Sequence, residues 1–217
     1  MDQNRYLRLR SGKGYIRSRL IRRIEEVEKT LFPIVPLNFA GRLLDLGSFD
    51  GQLGLRLGFL FKNLTIVGLD LSFSGHLMQN MICCLGDGRA LPFKEESFDI
   101  IVATAVLEHV PDPAVFISEA GRALRSGGQL ILTFPNPVWD AINSAIKDTG
   151  HKNSFFKPQL LKILEKNGFS VKEYRGFMAL PFASSSTLVK KIESIMLRMW
   201  LDKMFFNRIV SAFKVAG

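Results

Sequence analysis

Between residues 42 and 135 five apolar runs follow one another, each separated from the next by turn residues or by a stretch with helical spacing. The runs are RLLDLG (42–47), LTIVGLD (64–70), MICCLGD (81–87), FDIIVATAV (98–106) and GQLILTFP (128–135). Their apolar positions are continuous, not alternating, as expected of parallel strands covered on both faces. Helices are expected over 52–62, near 73–79 and over 112–124, the last with apolar residues at 115, 116, 120, 123 and 124 and a stop at Gly127-Gly128. Another is expected over 157–168, with Pro158 near its start and Gly168 behind its end, followed by strands over 169–177 and 208–216. This alternation predicts a doubly wound α/β sheet, in which ligands bind at the carboxyl ends of the strands.

At 217 residues and 47% hydrophobic content the chain can bury one good core. Its two cysteines, Cys83 and Cys84, are adjacent. Sequence neighbours rarely form an unstrained disulfide, so they read as apolar filling in a reducing compartment. The opening MDQNRYLRLR is charged throughout and does not read as a signal peptide. No run of about 18 uncharged apolar residues occurs, so no membrane span and a cytoplasmic location are expected. The net charge of +9 is unevenly placed: residues 1–23 hold eight Lys/Arg against one acid, 24–177 fifteen against seventeen, and 178–217 six against two. The basic character belongs to the two ends, where partners are usually met.

The segment LLDLGSFDGQLG (43–54) joins the first strand to a helix through Gly47 and Gly51. Glycines there let the main chain approach a ligand and turn sharply into the helix, whose free N–H groups favour a negative group. Asp70, about 20 residues beyond, ends the second strand, where an acid accepts hydrogen bonds from ribose hydroxyls and repels a 2′-phosphate. Asp45 lies beneath the loop, where it can hold backbone amides or a ligand's ammonium.

These elements stand in a familiar order: Asp45-x-Gly47-x-x-x-Gly51, then Asp70, GDGRALPFKEESFDII (86–101), LEHV (107–110) and EAGRALRSGGQLILTFPN (119–136), with GHKNSFFKPQLLKILEKNGFSV (150–171) continuing the match. Over residues 41–177 the chain resembles the class I S-adenosylmethionine-dependent methyltransferases, in particular the small-domain type related to the ubiquinone and menaquinone biosynthesis enzymes. The resemblance implies a Rossmann-like, seven-stranded, mostly parallel sheet with an antiparallel last strand. It implies S-adenosylmethionine as cofactor, S-adenosylhomocysteine as product, and cofactor contacts from Asp45, Gly47, Gly51, Asp70, Leu71, Asp87, Gly88, Arg89 and Thr104. Asp87 would take the adenine amino group, with backbone contacts from Gly88 and Arg89. The bound methionine carboxylate would face the helix N-terminus. Phe49 departs from the family, which usually has glycine there. The turn is expected to form if residue 49 keeps φ below zero; its ring would then point away or shape the acceptor side.

The reaction needs an acceptor positioned in line with the methyl group and, for a hydroxyl, a base. His109 follows the fourth strand and is the candidate base, with Glu108 and His151 behind it. Some quinone-pathway relatives add a glutamate three residues before the Glu-His pair and bind a divalent metal. Ala105 stands there, and Glu108 with His109 offers too few ligands, so no metal is expected.

Residues 1–40 read as a basic arm and an amphipathic lid helix, with Ile16, Leu20, Ile24, Val27 and Leu31 on one stripe and Arg17, Arg22 and Arg23 facing elsewhere. The methyltransferase domain would span 41–217, with an amphipathic helical insertion at about 180–206 whose stripe is 188, 189, 192, 195, 196, 199 and 200. The two helices either pack on the sheet or form an apolar, basic-rimmed mouth on anionic lipid. A small-molecule, lipid-linked or glycan acceptor is expected. The alternatives are an RNA methyltransferase, favoured by the basic arm but lacking the Asn/Asp-Pro-Pro-aromatic signature after the fourth strand, and a non-catalytic methyltransferase-fold subunit, motivated by Phe49.

Overall fold

The computed structural model describes residues 14–73, 81–146, 149–178, 187–199 and 201–216. Helix α1 (Gly14–Leu31) leads into β1 (Gly41–Leu46), α2 (Gln52–Leu60), β2 (Leu64–Asp70), β3 (Ile82–Leu85) and β4 (Phe98–Thr104). After a 3-10 turn at Leu107–His109 come α3 (Pro113–Ala123), β5 (Leu124–Pro135), α4 (Pro137–Ile146), α5 (Lys157–Lys166) and β6 (Phe169–Phe177). Helix α6 (Thr187–Arg198), a second 3-10 turn (Leu201–Met204) and β7 (Asn207–Lys214) complete the order.

The strands form one sheet in the order β3-β2-β1-β4-β5-β7-β6. The first five pair in parallel, and β7 runs antiparallel between β5 and β6. The sheet is therefore the seven-stranded, mostly parallel one expected. Because β1 has β2 on one side and β4 on the other, the chain direction reverses at its carboxyl end and opens a crevice there.

Continuous apolar strands cover both faces. Leu44, Leu46, Val67 and Ile101 meet Phe116, Ile117 and Ala120 of α3 and Leu160 and Leu164 of α5. On the opposite face Leu43, Ile66, Ile100 and Ile131 meet Leu53 and Leu57 of α2 and the stripe Leu20, Ile24, Val27 and Leu31 of α1. Asp112 caps α3 by accepting from the amides of Ala114 and Val115, with Pro113 in the first turn.

Several boundaries differ from expectation. Helix α3 ends at Ala123, and Gly127-Gly128 is not its stop: Leu124 is already extended, and the glycines lie within β5. The pairing jumps from Phe98–Leu124 to Ile100–Gln129, so the strand bulges, and Gly127 takes the positive φ (+70°) that the bulge requires. Strand β3 covers only Ile82–Leu85 of the expected 81–87, at an edge where Cys83 and Cys84, not joined in a disulfide, are half-buried and Cys84 packs against the core. Strand β4 stops at Thr104, because Ala105 turns left-handed (φ +56°) while still donating to Thr133 O at 2.9 Å. Helix α2 stops at Leu60, and β7 begins one residue and ends two residues earlier than expected, at Asn207–Lys214.

Helix α4 was not foreseen; Asn136-Pro137, a capping residue followed by proline at the first helical position, was its signal. The amphipathic insertion expected at about 180–206 is, among the described residues, α6 followed by a separate 3-10 turn; Ile195 and Met199 of its stripe are 55% and 63% exposed, while the acidic Glu193 is buried. The helix expected near 73–79 lies outside the described residues. No helix among the described residues is long and apolar enough to cross a membrane.

Candidate active site

A cavity of about 600 Å³ opens at the carboxyl ends of β1, β2 and β4. Asp45, Gly47, Asp70 and Leu71 line it, together with Asp87, Gly88, Arg89, Thr104 and His109. Gly51 is not at the wall; it is the left-handed residue (φ +68°) from which α2 starts. The sequence thus gathers its expected cofactor residues around one crevice.

The loop between β1 and α2 is tightly determined. Gly47 and Ser48 both donate to Leu69 O, at 2.8 and 3.2 Å, which pulls the loop onto the end of β2. Gly47 has φ +77°, and a Cβ there would stand 2.1 Å from Val106 Cγ2. Only glycine satisfies both demands. Phe49 does not keep φ below zero: it sits at φ +43°, in the left-handed region, and its ring lines the cavity. Its amide donates to Asp70 Oδ2 at 2.9 Å, and Asp70 Oδ1 accepts from Ser72 at 3.1 Å. Asp70 therefore ties the first loop to the second while lining the cavity.

Left-handed backbone costs a non-glycine residue roughly 1–2 kcal/mol, and glycine returns about 0.4–1 kcal/mol of that to the unfolded chain's entropy. Phe49→Gly is expected to raise the unfolding temperature by about 2 °C, and Phe49→Ala to leave it unchanged or lower it. Thermal unfolding of both variants checks this, and equal shifts for both would show that the strain is not in the backbone.

Asp45 is buried at 1% exposure and its Oδ2 has no hydrogen-bond partner. Burial pushes its carboxyl up to about 7, and the charges of Asp50 and Asp70 push the same way; the Ser48 hydroxyl and the Gly54 amide offset only part. A cationic group arriving in the cavity would remove that penalty. Asp87 lies two residues beyond the end of β3, not in it. Its carboxylate pairs with the Arg89 guanidinium at 2.6 Å and is held below its ordinary range by that contact. The Gly88 backbone rests on Phe116, whose ring is 2.4 Å from where a Cβ would stand. Leu71 is 75% exposed, a large apolar side chain open at the cavity wall.

His109 donates Nδ1–H to Gly150 O at 3.0 Å, because a carbonyl can only accept. That tautomer leaves Nε2 with a free lone pair. The His151 ring packs edge to face on His109 with centroids 4.8 Å apart. His151 in turn bonds through Nδ1 to Asp140 of α4, whose other oxygen accepts from Ser154 at 2.7 Å. Backbone bonds from Lys152 and Asn153 to Glu108 O, at 2.7 and 3.1 Å, fasten this segment to the turn after β4. Glu108 is buried, and its Oε2 has no partner. One ligand atom each from Glu108, His109 and His151 lie within 4.8 Å of one another, the only such trio among the described residues. Counting ligands from the Glu-His pair alone missed His151.

Sequence reasoning also missed Leu20 and Arg23, which line the cavity from α1. They are three apart and so share a helix face, which was a usable signal. Arg22 likewise does not face solvent; it is 3% exposed and paired with Glu193 of α6.

Residues 44–132 match the family model described as a methyltransferase domain. A ubiquinone biosynthesis O-methyltransferase of Bartonella quintana (strain Toulouse) is 29% identical over 196 residues, covering 79% of this chain and 76% of that protein. A fatty-acid O-methyltransferase of Mycolicibacterium smegmatis (strain ATCC 700084 / mc(2)155) is 26% identical over 171 residues, 75% of this chain and 58% of that one. Among solved structures, an S-adenosylmethionine dependent methyltransferase from Mesorhizobium loti superposes with a TM-score of 0.64 at 18% identity, covering 85% of this chain and 96% of that one. Residues 44–132 thus carry a methyltransferase domain, and in its loop, in the acids at its strand ends and over most of its length the chain is similar to S-adenosylmethionine-dependent methyltransferases, those of ubiquinone biosynthesis among them.

Proposed function

We propose that the chain methylates an oxygen of a small-molecule, lipid-linked or glycan acceptor, with His109 as the base. The observation that carries this is the His109 tautomer: Nδ1–H is committed to Gly150 O, so Nε2 is left to take a proton at the cavity wall. The two O-methyltransferase relatives favour oxygen as the methylated atom.

The cavity suits the cofactor on its own chemistry. Asp45, a buried carboxylate with an open oxygen, fits the methionine ammonium, and Arg23 with the start of α2 fits the carboxylate. Asp70 fits the ribose hydroxyls. Leu71, Gly88 and Asp87 fit the adenine face and edge, and Gly47 and Thr104 line the wall toward the acceptor. When bound, the cofactor supplies a sulfonium-activated methyl group. The chain then has to exclude water, hold the acceptor oxygen in line with that methyl, and take the hydroxyl proton at His109 Nε2 as the oxygen–carbon bond forms. Phe49 and Leu20 bound the cavity with apolar surface. The reading includes a cytoplasmic setting, a residue 1–40 cap on the 41–217 domain, and peripheral contact with anionic membrane. It includes no metal: Ala105 leaves the Glu108, His109 and His151 trio without a further carboxylate.

Asp70→Ala removes the ribose acceptor and unties Phe49 from the second loop. It is expected to weaken S-adenosylhomocysteine binding by about 10- to 100-fold, roughly 1–3 kcal/mol. Titration calorimetry checks this, and unchanged affinity would take Asp70 out of the site. The base is tested by His109→Ala turnover on catechol and fatty-acid acceptors, with and without a chelator. Turnover that survives the substitution, or disappears with the chelator, would overturn the metal-free base.

A further inference from the structure

The loop between β1 and α2 has a hidden side, and a sulfur atom supports it there. Gly51 and Gly54 lie at the start of α2 and Gly68 in β2, and the side chain of Met81 touches all three. A Cβ would stand 3.3 Å from Met81 Cε at Gly51 and 2.6 Å from it at Gly68, and at Gly54 it would strike Met81 Sδ. At Gly54 and Gly68 φ is not positive, so glycine is needed there for room and not for conformation. The three glycines form a slot between helix and strand, closed by Ile66, and the unbranched thioether fills it.

The slot backs onto the candidate site. The Gly54 amide and the Ser48 hydroxyl face the buried Asp45 carboxylate and ease its burial. Ser48 also lies against Gly68, where a Cβ would come within 2.8 Å of its Oγ. Asp45 and Ser48 line the cavity. The groups around that carboxylate therefore rest on the backbone that Met81 holds apart.

Position decides which sulfur matters. Met81 is half-buried beside the edge strand β3, within reach of a water-sized oxidant. Met178, at 2% exposure, is enclosed, whereas Met199 and Met204, at 63% and 54%, already face water and would keep a sulfoxide solvated. The neighbouring Cys83 is a poorer target, because burial raises its thiol and favours the unreactive protonated form. A thioether needs no deprotonation to react.

We propose that Met81 is an oxidative modification site through which hydrogen peroxide lowers the affinity of the cavity for its cofactor. The sulfur lone pair attacks one peroxide oxygen, a sulfur–oxygen bond forms as the oxygen–oxygen bond breaks, and the departing hydroxide takes the proton of the transferred oxygen. The thioether is oxidised to the sulfoxide and the peroxide is reduced to water. A bulkier, polar sulfoxide has no room among glycine backbone and Ile66, so it leaves the slot and the first turn of α2 shifts with Asp45 and Ser48. The proposal rests on the methyltransferase reading only in naming the ligand whose affinity changes.

The test treats the full chain with hydrogen peroxide, maps the oxidised methionines by peptide mass spectrometry, and measures S-adenosylhomocysteine affinity and unfolding temperature. Conversion of Met81 is expected to lower the affinity about tenfold or more, the effect of one polar group left unsatisfied. The unfolding temperature should fall with it. Methionine sulfoxide reductase should restore both, and a thiol reductant alone should not. Met81→Leu should keep the affinity and resist peroxide, Met81→Gln should show the loss without peroxide, and Met199→Leu/Met204→Leu should remain sensitive. Three outcomes would overturn the proposal: Met81 left intact while Met199 and Met204 are converted; Met81 fully converted with affinity and unfolding temperature unchanged; or a loss that persists in Met81→Leu or is reversed by thiol alone. An untreated chain that binds no S-adenosylhomocysteine would count against the methyltransferase reading alone, and the unfolding temperatures of treated wild type and Met81→Leu would still decide the proposal.

Discussion

Arg22→Met is expected to destabilise the protein by about 3–5 kcal/mol, the usual cost of removing one partner from a buried ion pair. Arg22 is 3% exposed and its guanidinium bonds Glu193 of α6 and Glu25 at 3.0 Å, with Glu26 at 3.7 Å. Glu26 is also bonded by Arg175 of β6 and by Lys29 at 2.6 Å. Burial alone would raise the Glu26 carboxyl, but these cations win and hold it below its ordinary value. The network joins α1, α6 and β6, and its buried carboxylates depend on the arginines for compensation. Taking Arg22 away removes its ion pair with the buried Glu193. The unfolding temperature should fall by about 10 °C or more. S-adenosylhomocysteine affinity should fall too, because α1 carries Leu20 and Arg23 into the cavity wall. The double variant Arg22→Met/Glu193→Leu removes both charges and should recover most of the stability, as buried pairs replaced by apolar side chains commonly do. Urea unfolding of the two variants measures the difference. A loss below about 1 kcal/mol would class the pair with surface salt bridges, which contribute little.

This network was hidden in the sequence for a physical reason. Hydrophobic periodicity reports which face of a helix is apolar, and in α1 it reported correctly: Leu20, Ile24, Val27 and Leu31 are buried. It assumes that the other face meets water. In α1 that face meets α6 and β6, so Arg22 and Glu26 are buried as well, and Glu28 is buried against Arg56 of α2. In α4 and α6 the assumption fails differently: Val138, Ile142 and Ile195 are exposed while Asp140 and Glu193 are buried. The strands were legible because parallel strands covered on both sides must be apolar throughout, a demand that each run met. The cavity-lining loop and acids were legible because strand ends and glycine turns fix them locally, within a few residues of the motif. His151 and Asp140 come from segments 31 residues or more beyond the Glu108-His109 pair and are joined to it by tertiary hydrogen bonds and a ring contact, which no local spacing records. Phe49 was legible as an anomaly but not in its conformation. The sequence pattern alone permits either sign of φ, and the pull of Asp70 on its amide accompanies the left-handed one.

Asp45 should make both stability and cofactor affinity depend on pH, in opposite directions. Its carboxyl is pushed up to about 7 by burial and by the charges of Asp50 and Asp70, against an ordinary value of 3.8. The native state without ligand therefore keeps a proton there that the unfolded chain has already released. Stability must then fall as pH rises through the window from about 4 to 7, and change no further above it from this group. The difference corresponds to about 4 kcal/mol at pH 8. Asp45→Asn keeps the shape without the charge, so the ligand-free variant should be the more stable protein at pH 8. Its advantage should shrink toward pH 5, where wild-type Asp45 is already neutral. Cofactor binding runs the other way. An ammonium beside Asp45 favours the ionised carboxylate, so wild-type affinity for S-adenosylhomocysteine should rise from pH 6 to pH 8 as the proton is released on binding. The asparagine variant should bind more weakly throughout, and its affinity should lack that rise. Calorimetry in buffers of different ionisation enthalpy reads the released proton directly. An affinity that is flat in pH for both proteins, with no proton released, would show that Asp45 supports the loop and never meets the ligand's charge.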